Sequence, residues 1–184
     1  MPHRRLDHRR VALLRAINVG GRTVTMERLR GIFQGLGFTE VETVIASGNV
    51  IFRGDAQPAD ALQGTIERAL ATALGFEVET FLRTREELEA IVAFDPRPHL
   101  AAALDDAVLS VVFLNGEPSP DAQAALLALR NDVDDFLVRG RDLYWLRRTR
   151  RAESQVAGPR LERTLRMPGT ARNITTVRTL ALRA

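Results

Sequence analysis

The sequence contains no cysteine and no lysine; all 26 of its fixed positive charges are arginine, in 184 residues. The missing thiols exclude disulfides, thiolate zinc sites, iron–sulfur clusters and a cysteine nucleophile. The missing amines exclude Schiff-base and pyridoxal chemistry and a Walker A loop. Histidine is scarce: His3 and His8 lie in a basic leader and His99 in a proline-flanked connection, so no pair has metal-ligand spacing. There is no G-x-S-x-G elbow. Long apolar runs are absent too. The best, Val111-Val112-Phe113-Leu114, falls far short of the roughly 18 residues a membrane span needs. Met1 to Arg10 is basic and polar without an apolar signal-peptide core, so a cytoplasmic protein with a disordered basic tail over residues 1–10 is expected, with no membrane partner.

What is present suits a globular chain: 45% hydrophobic and 27% charged residues, with a formal net charge of only +3. The charge is unevenly spread. Glu86 to Asp135 holds eleven acids against Arg97 and Arg130, whereas Arg139 to Arg172 holds ten arginines against Asp142, Glu153 and Glu162. Such asymmetry can steer an anionic partner, or simply give one soluble body two oppositely charged faces.

The first half opens on an apolar strand, Val11 to Leu14, running into Asn18-Val19-Gly20-Gly21. Met26, Leu29, Ile32, Phe33 and Leu36 then share one helical face, with Thr25 placed to cap it and Gly37 to stop it. Val41 to Ile45 and Val50 to Phe52 read as strands joined at Ala46-Ser47-Gly48-Asn49. A second helix follows Pro58, with Leu62, Ile66, Leu70 and Leu74 spaced by four, and ends at Gly75. Phe76 to Leu82 reads as a fourth strand, and Thr84 with Glu87 as a capping box opening a short helix.

Phe94-Asp95-Pro96-Arg97-Pro98 breaks the pattern, and the second half starts over. Val108–Leu114 is an expected strand, Pro120–Leu129 a helix, Val133–Val138 and Leu143–Leu146 a hairpin, and Glu153–Leu165 a helix. Met167-Pro168-Gly169 then reads as a break, and Asn173 to Leu182 as helical rather than as a fourth strand. The order β-α-β-β-α-β defines the fold class expected: α+β, two ferredoxin-like (split β-α-β) subdomains, residues 11–94 and 95–184, plus a C-terminal helix.

Three segments carry a resemblance to a known family. Leu14-Arg15-Ala16-Ile17-Asn18-Val19-Gly20-Gly21, Ala46-Ser47-Gly48-Asn49-Val50-Ile51-Phe52 and Thr170-Ala171-Arg172-Asn173-Ile174-Thr175-Thr176-Val177 resemble, in order, the signatures of the bacterial DUF1697 family. The likeness runs from about Val11 to Ala184. It implies two ferredoxin-like subdomains and assigns no activity. This chain departs from the family pattern twice: Ser154-Gln155-Val156 stands where Ser-Lys-Leu is usual, and Ile174 where an aromatic usually follows Arg-Asn.

In a ferredoxin-like sheet the end of the first strand and the turn between the second and third share an edge, where the first helix also begins. Asn18, Gly20 and Gly21 are therefore expected beside Ser47, Gly48 and Asn49, with Arg15 adding charge. Glycines let a ligand approach the backbone, and Asn and Ser offer hydrogen bonds. The edge suits a small anionic or nucleotide-type ligand, and no cofactor signature accompanies it. Turn-making alone also accounts for these residues. Arg172 and Asn173 are the other candidates, either as a helix start or with Arg172 binding an acidic group bidentately.

A nucleic-acid partner is the alternative. Arg139 to Arg151 interleaves cations with the only Tyr and the only Trp, the mixture that phosphate attraction and base stacking need. Alternation, however, puts Leu143 and Trp145 on one face, where Trp suits a core. A metal-assisted hydrolase would draw on Asp105-Asp106 or Asp134-Asp135, but adjacent acids on a strand point to opposite faces. No nucleophile or general base stands out.

Overall fold

The computed structural model describes residues 9–20, 23–45, 48–54, 57–100, 107–148 and 153–184. The chain divides into two compact units, one running to Glu89 and including Leu180–Ala184, the other Ala90–Thr179. Asp105 and Asp106 lie outside the described residues.

In the first unit β1 (Arg9–Leu14) leads to α1 (Met26–Gly35), then β2 (Thr39–Thr43), β3 (Asn49–Arg53), α2 (Ala59–Leu74), β4 (Thr80–Thr84) and the start of α3 (Arg85–Ala93). The antiparallel sheet has the order β2-β3-β1-β4. Local chemistry sets the element ends. Thr25 accepts the Arg28 N–H at 3.1 Å to open α1, and left-handed Gly75 closes α2. Thr84 and Glu87 exchange reciprocal hydrogen bonds, the capping box expected for α3. One sheet face packs under α1 and α2: Ala12, Leu14, Val50, Phe52 and Leu82 meet Leu29, Phe33, Leu62, Ile66 and Leu70, all buried. Each such larger side chain contributes about 1.5–3 kcal/mol.

Two boundaries in this unit differ from the sequence reading. The fourth strand begins at Thr80 rather than Phe76, because the Glu67 side chain takes the Thr80 N–H at 2.8 Å and Phe76 packs partly buried against the core. The second strand begins at Thr39, and Glu40 with a φ of 50° marks the irregularity where its register against β3 shifts.

The second unit contains the end of α3, a short 3-10 turn at Arg97–His99, β5 (Val108–Leu114), α4 (Pro120–Leu127), β6 (Asp134–Arg139), β7 (Asp142–Arg147), α5 (Gly158–Leu165), β8 (Gly169–Asn173) and most of α6 (Ile174–Arg183). Its sheet order, β6-β7-β5-β8, repeats that of the first. Here the sequence reading needs correction. A fourth strand does exist, pairing antiparallel with β5 from Ser110↔Asn173 to Leu114↔Gly169, and the terminal helix starts only after Asn173. The strand escapes a periodicity reading because its buried positions are Thr170 and Arg172, polar residues on an edge strand. Pro168 precedes the ladder, where its missing N–H costs nothing. The helix expected from Glu153 likewise starts only at Gly158, because Ser154 and Gln155 are drawn to the Asp134 carboxylate.

The two units are thus element-for-element repeats. Leu14 and Leu114 end equivalent strands, each donating its N–H to the turn of the central hairpin: Leu14 to the Gly48 carbonyl at 2.8 Å, Leu114 to the Arg141 carbonyl at 3.0 Å. Thr84 opens α3 as Asn173 opens α6, the latter accepting the Thr175 N–H at 2.9 Å.

Candidate functional site

At the end of β1 the chain makes two left-handed steps, Ala16 (φ 53°) and Asn18 (φ 58°), before Gly20 (φ 65°). The β2–β3 connection adds Ile45 (φ 59°) and Gly48 (φ 76°). Three of the five non-glycine residues with positive φ among those described therefore lie in these two segments. Ala16 and Ile45 each store roughly 1–2 kcal/mol, more at the β-branched Ile45, whereas asparagine adopts this region readily.

The two segments meet at Gly48. Its carbonyl accepts the Leu14 N–H, and a β-carbon on it would collide with Ile17 Cγ2 and stand 3.1 Å from Leu14 Cβ. Only glycine serves both the close approach and the backbone angle. Asn49 is fully buried and donates its side-chain amide to the Val44 carbonyl at 2.9 Å, while its own carbonyl accepts the Val44 N–H. Asn18 Oδ1 accepts the Val24 N–H at 2.6 Å, holding the loop before α1. Arg15 donates to Glu79 Oε2 at 2.6 Å with both side chains over a third exposed, and Gly20 has open space around it. Gly21 and Ser47 lie outside the described residues.

Two residues that the sequence reading passed over belong to this rim: Val19 is 61% exposed and Ile45 54% exposed. The available signal was a β-branched apolar residue standing next to turn residues, where no core position is expected.

Arg172 and Asn173 belong to β8 of the second unit. Arg172 is buried, donating to Thr170 Oγ1 at 2.7 Å and to the Ala171 carbonyl at 2.9 Å; desolvation pulls its pKa down to about 10. Asn173 caps α6.

Within the arginine-rich segment, Arg139 ends β6 and Asp142–Arg147 form β7 of the hairpin. Arg139 stacks over the Phe94 ring at 4.5 Å. Tyr144 is buried, its hydroxyl donating to the Ile91 carbonyl at 3.4 Å, and burial first, then the Asp142 charge, push its pKa up to about 12. Trp145 is half-buried on Phe136 and donates its indole N–H to Asp134. Residues 149–151 lie outside the described residues.

The adjacent acids are both consumed by the fold. Asp134 accepts from Trp145, Ser154 Oγ, the Gln155 N–H and the Asn131 side-chain amide. Asp135 is bridged by Arg130 at 2.7 Å and Arg148 at 3.4 Å. Among the described residues no group of three or more His, Asp or Glu side chains is placed to hold a metal, and no helix is long and apolar enough to cross a membrane.

These observations define a class: an α+β protein of two repeated β-α-β-β-α-β units, each with a four-stranded antiparallel sheet. The chain belongs to the DUF1697 family, described as proteins of unknown function, whose profile matches residues 8–144. It is similar in structure to the conserved bacterial protein SP0830 from Streptococcus pneumoniae, with a TM-score of 0.74 over 96% of this chain and 97% of that one, at 24% sequence identity. At that identity the likeness speaks for the fold alone. A search of curated proteins finds no match.

Proposed function

We propose that this DUF1697 protein is a cytoplasmic binding protein of two ferredoxin-like subdomains, taking a small anionic or nucleotide-type ligand at the rim where the β1–α1 segment meets the β2–β3 turn. The observation that carries this reading is the junction at Gly48, where two strained, glycine-bearing corners share one edge of the sheet. Strain of this kind persists only where surrounding structure holds it, and it concentrates at ligand sites. Left-handed backbone turns N–H groups outward, toward an anion. Val19 and Ile45 offer an apolar border for the body of such a ligand, and Arg15 a charge that can exchange from Glu79. Asn18 and Asn49 act as braces of the rim rather than as direct contacts, since their side chains hold Val24 and Val44.

The nucleic-acid alternative is weaker, because Tyr144 is buried and the Trp145 N–H is held by Asp134, which removes the stacking pair it needs. A thermal-shift screen with nucleotides and sugar phosphates tests the proposal. Saturable stabilisation is expected, reduced in Asn18→Ala and Ser47→Ala and in the border variant Val19→Ser. If no anion raises the melting temperature, or all three variants bind as wild type does, the rim is not a site.

A further inference from the structure

We infer that the second unit holds a separate small-molecule pocket, between β5, β7 and Ser154, that takes a small planar carboxylate held by Arg147 and laid against Trp145. The cavity measures about 180 Å³ and is lined by Val108, Ser110, Trp145, Arg147 and Ser154. Its volume suits one ring bearing a single carboxylate.

The repeat shows what is unusual here. Ala12 pairs with Val50 in the first unit as Val112 pairs with Leu143 in the second, and both sets lie in the cores under the helices. Moving out along the hairpins, the pair Arg10↔Phe52 corresponds to Ser110↔Trp145, and Gly54 corresponds to Arg147. In the first unit this place is filled: the Phe38 ring lies 4.6 Å from that of Phe52, and a β-carbon on Gly54 would stand 3.1 Å from it. In the second unit an arginine stands at the glycine's register position, and a cavity opens beside it between Val108, Ser110, Trp145 and Ser154.

The arginine itself points to a ligand. Arg147 makes no side-chain hydrogen bond or ion pair with any described residue, and its Nε is buried without a partner. A buried, unsatisfied guanidinium N–H costs about 1–3 kcal/mol, and almost all such groups in native proteins are paired. The Ser110 hydroxyl beside it is likewise uncommitted among the described residues. A carboxylate would meet the guanidinium fork through two parallel hydrogen bonds. The Trp145 ring, fixed by Phe136 and by its N–H to Asp134, supplies a rigid planar wall. Asp134 sets the charge limit. Its carboxylate holds two lining residues, Trp145 and Ser154, so a dianionic phosphate would meet more repulsion than a monoanion.

Trp145 is the only tryptophan in the chain, so its fluorescence reads this pocket directly. The full-length protein is titrated with benzoate, phenyl phosphate and benzyl alcohol. Benzoate is expected to change the emission saturably, phenyl phosphate more weakly, and the neutral alcohol not at all. Arg147→Gln is expected to weaken benzoate about tenfold or more, and Ser110→Leu, which intrudes on the cavity, to weaken it independently; Asn18→Ala at the first-unit rim is expected to leave the titration unchanged. The inference is overturned by the absence of a saturable change in wild type, by unaltered benzoate affinity in both folded pocket variants, or by equal response to benzyl alcohol. A stronger response to phenyl phosphate would overturn the choice of a singly charged ligand.

Discussion

The Trp145 indole N–H donates to Asp134 Oδ1 at 2.9 Å, and the same oxygen accepts the Ser154 hydroxyl at 2.7 Å. One fully buried carboxylate thereby ties the β6–β7 hairpin to the segment that leads into α5. Its other oxygen accepts the Gln155 N–H and the Asn131 side-chain amide.

Removing this carboxylate takes the acceptor from four part-buried donors, of which the Trp145 and Gln155 N–H groups are left with none. Asp134→Ala is expected to cost about 3 kcal/mol or more, since each orphaned donor costs about 1–3 kcal/mol. Ser154→Ala, which removes one donor to the carboxylate and the acceptor of the Val156 N–H, should cost about 1–2 kcal/mol, less than Asp134→Ala. Urea denaturation followed by Trp145 fluorescence checks both; equal costs would show that Asp134 is not the organising group.

Glycine matters at Gly48 for two reasons and at Gly20 for one. Both have positive φ, but a β-carbon collides with Ile17 at Gly48 and meets nothing at Gly20. Gly20→Ala should therefore cost about 1 kcal/mol, the backbone penalty alone. Gly48→Ala should cost about 2–4 kcal/mol, as overpacking adds to it. Thermal melts of the two variants, side by side, give the comparison.

Tyr144 is the only tyrosine, so phenolate absorbance on alkaline titration follows one group. The expected midpoint is about 12, against the ordinary tyrosine value of 10.0, with the hydroxyl losing its proton late because it is buried. A midpoint at the ordinary tyrosine value would contradict the buried placement.

Arg172 and Tyr144 give opposite alkaline signatures. Above pH 10 an unfolded chain loses the phenol proton while the folded protein keeps it, so Tyr144 lowers stability as pH rises from 10 toward 12. Arg172, pulled by desolvation well below its ordinary value to about 10, releases its proton first in the folded state, so it raises stability as pH climbs above 10. Below pH 10 the buried Arg172 charge is a standing cost. Arg172→Met is expected to be neutral or stabilising by about 1 kcal/mol at neutral pH and to fall in stability more steeply than wild type above pH 10. Tyr144→Phe should show the reverse slope. Stability measured by urea denaturation at pH 9, 10 and 11 decides it, and parallel curves for all three proteins would refute the assignment.

Much of the molecule was legible because its signals are local. Thr25, Thr84 with Glu87, and Gly75 mark helix ends through bonds within a few residues, and Val108–Leu114 reads as a strand from its own composition. The candidate rim was partly legible for the same reason: Asn18, Gly20 and Gly48 are turn chemistry, and the order of elements places the two corners together. The β8 strand was not, because an edge strand with Thr170 and Arg172 inward carries no hydrophobic alternation; it exists through its ladder to β5.

By itself, the sequence determined the element order apart from β8, several of the caps and the repetition of one architecture, since hydrophobic period and turn residues act over a few positions. Tertiary structure alone decided which polar groups are spent and which are left over. Asn49, Asp134 and Asp135 look like functional groups until partners from other elements engage them, and Arg147 looks like one solvated charge among many until the sheet half-buries it beside Trp145 with no partner. Hydrogen-bond satisfaction is a property of neighbours in space, and those neighbours are set only when strands distant along the chain come into register.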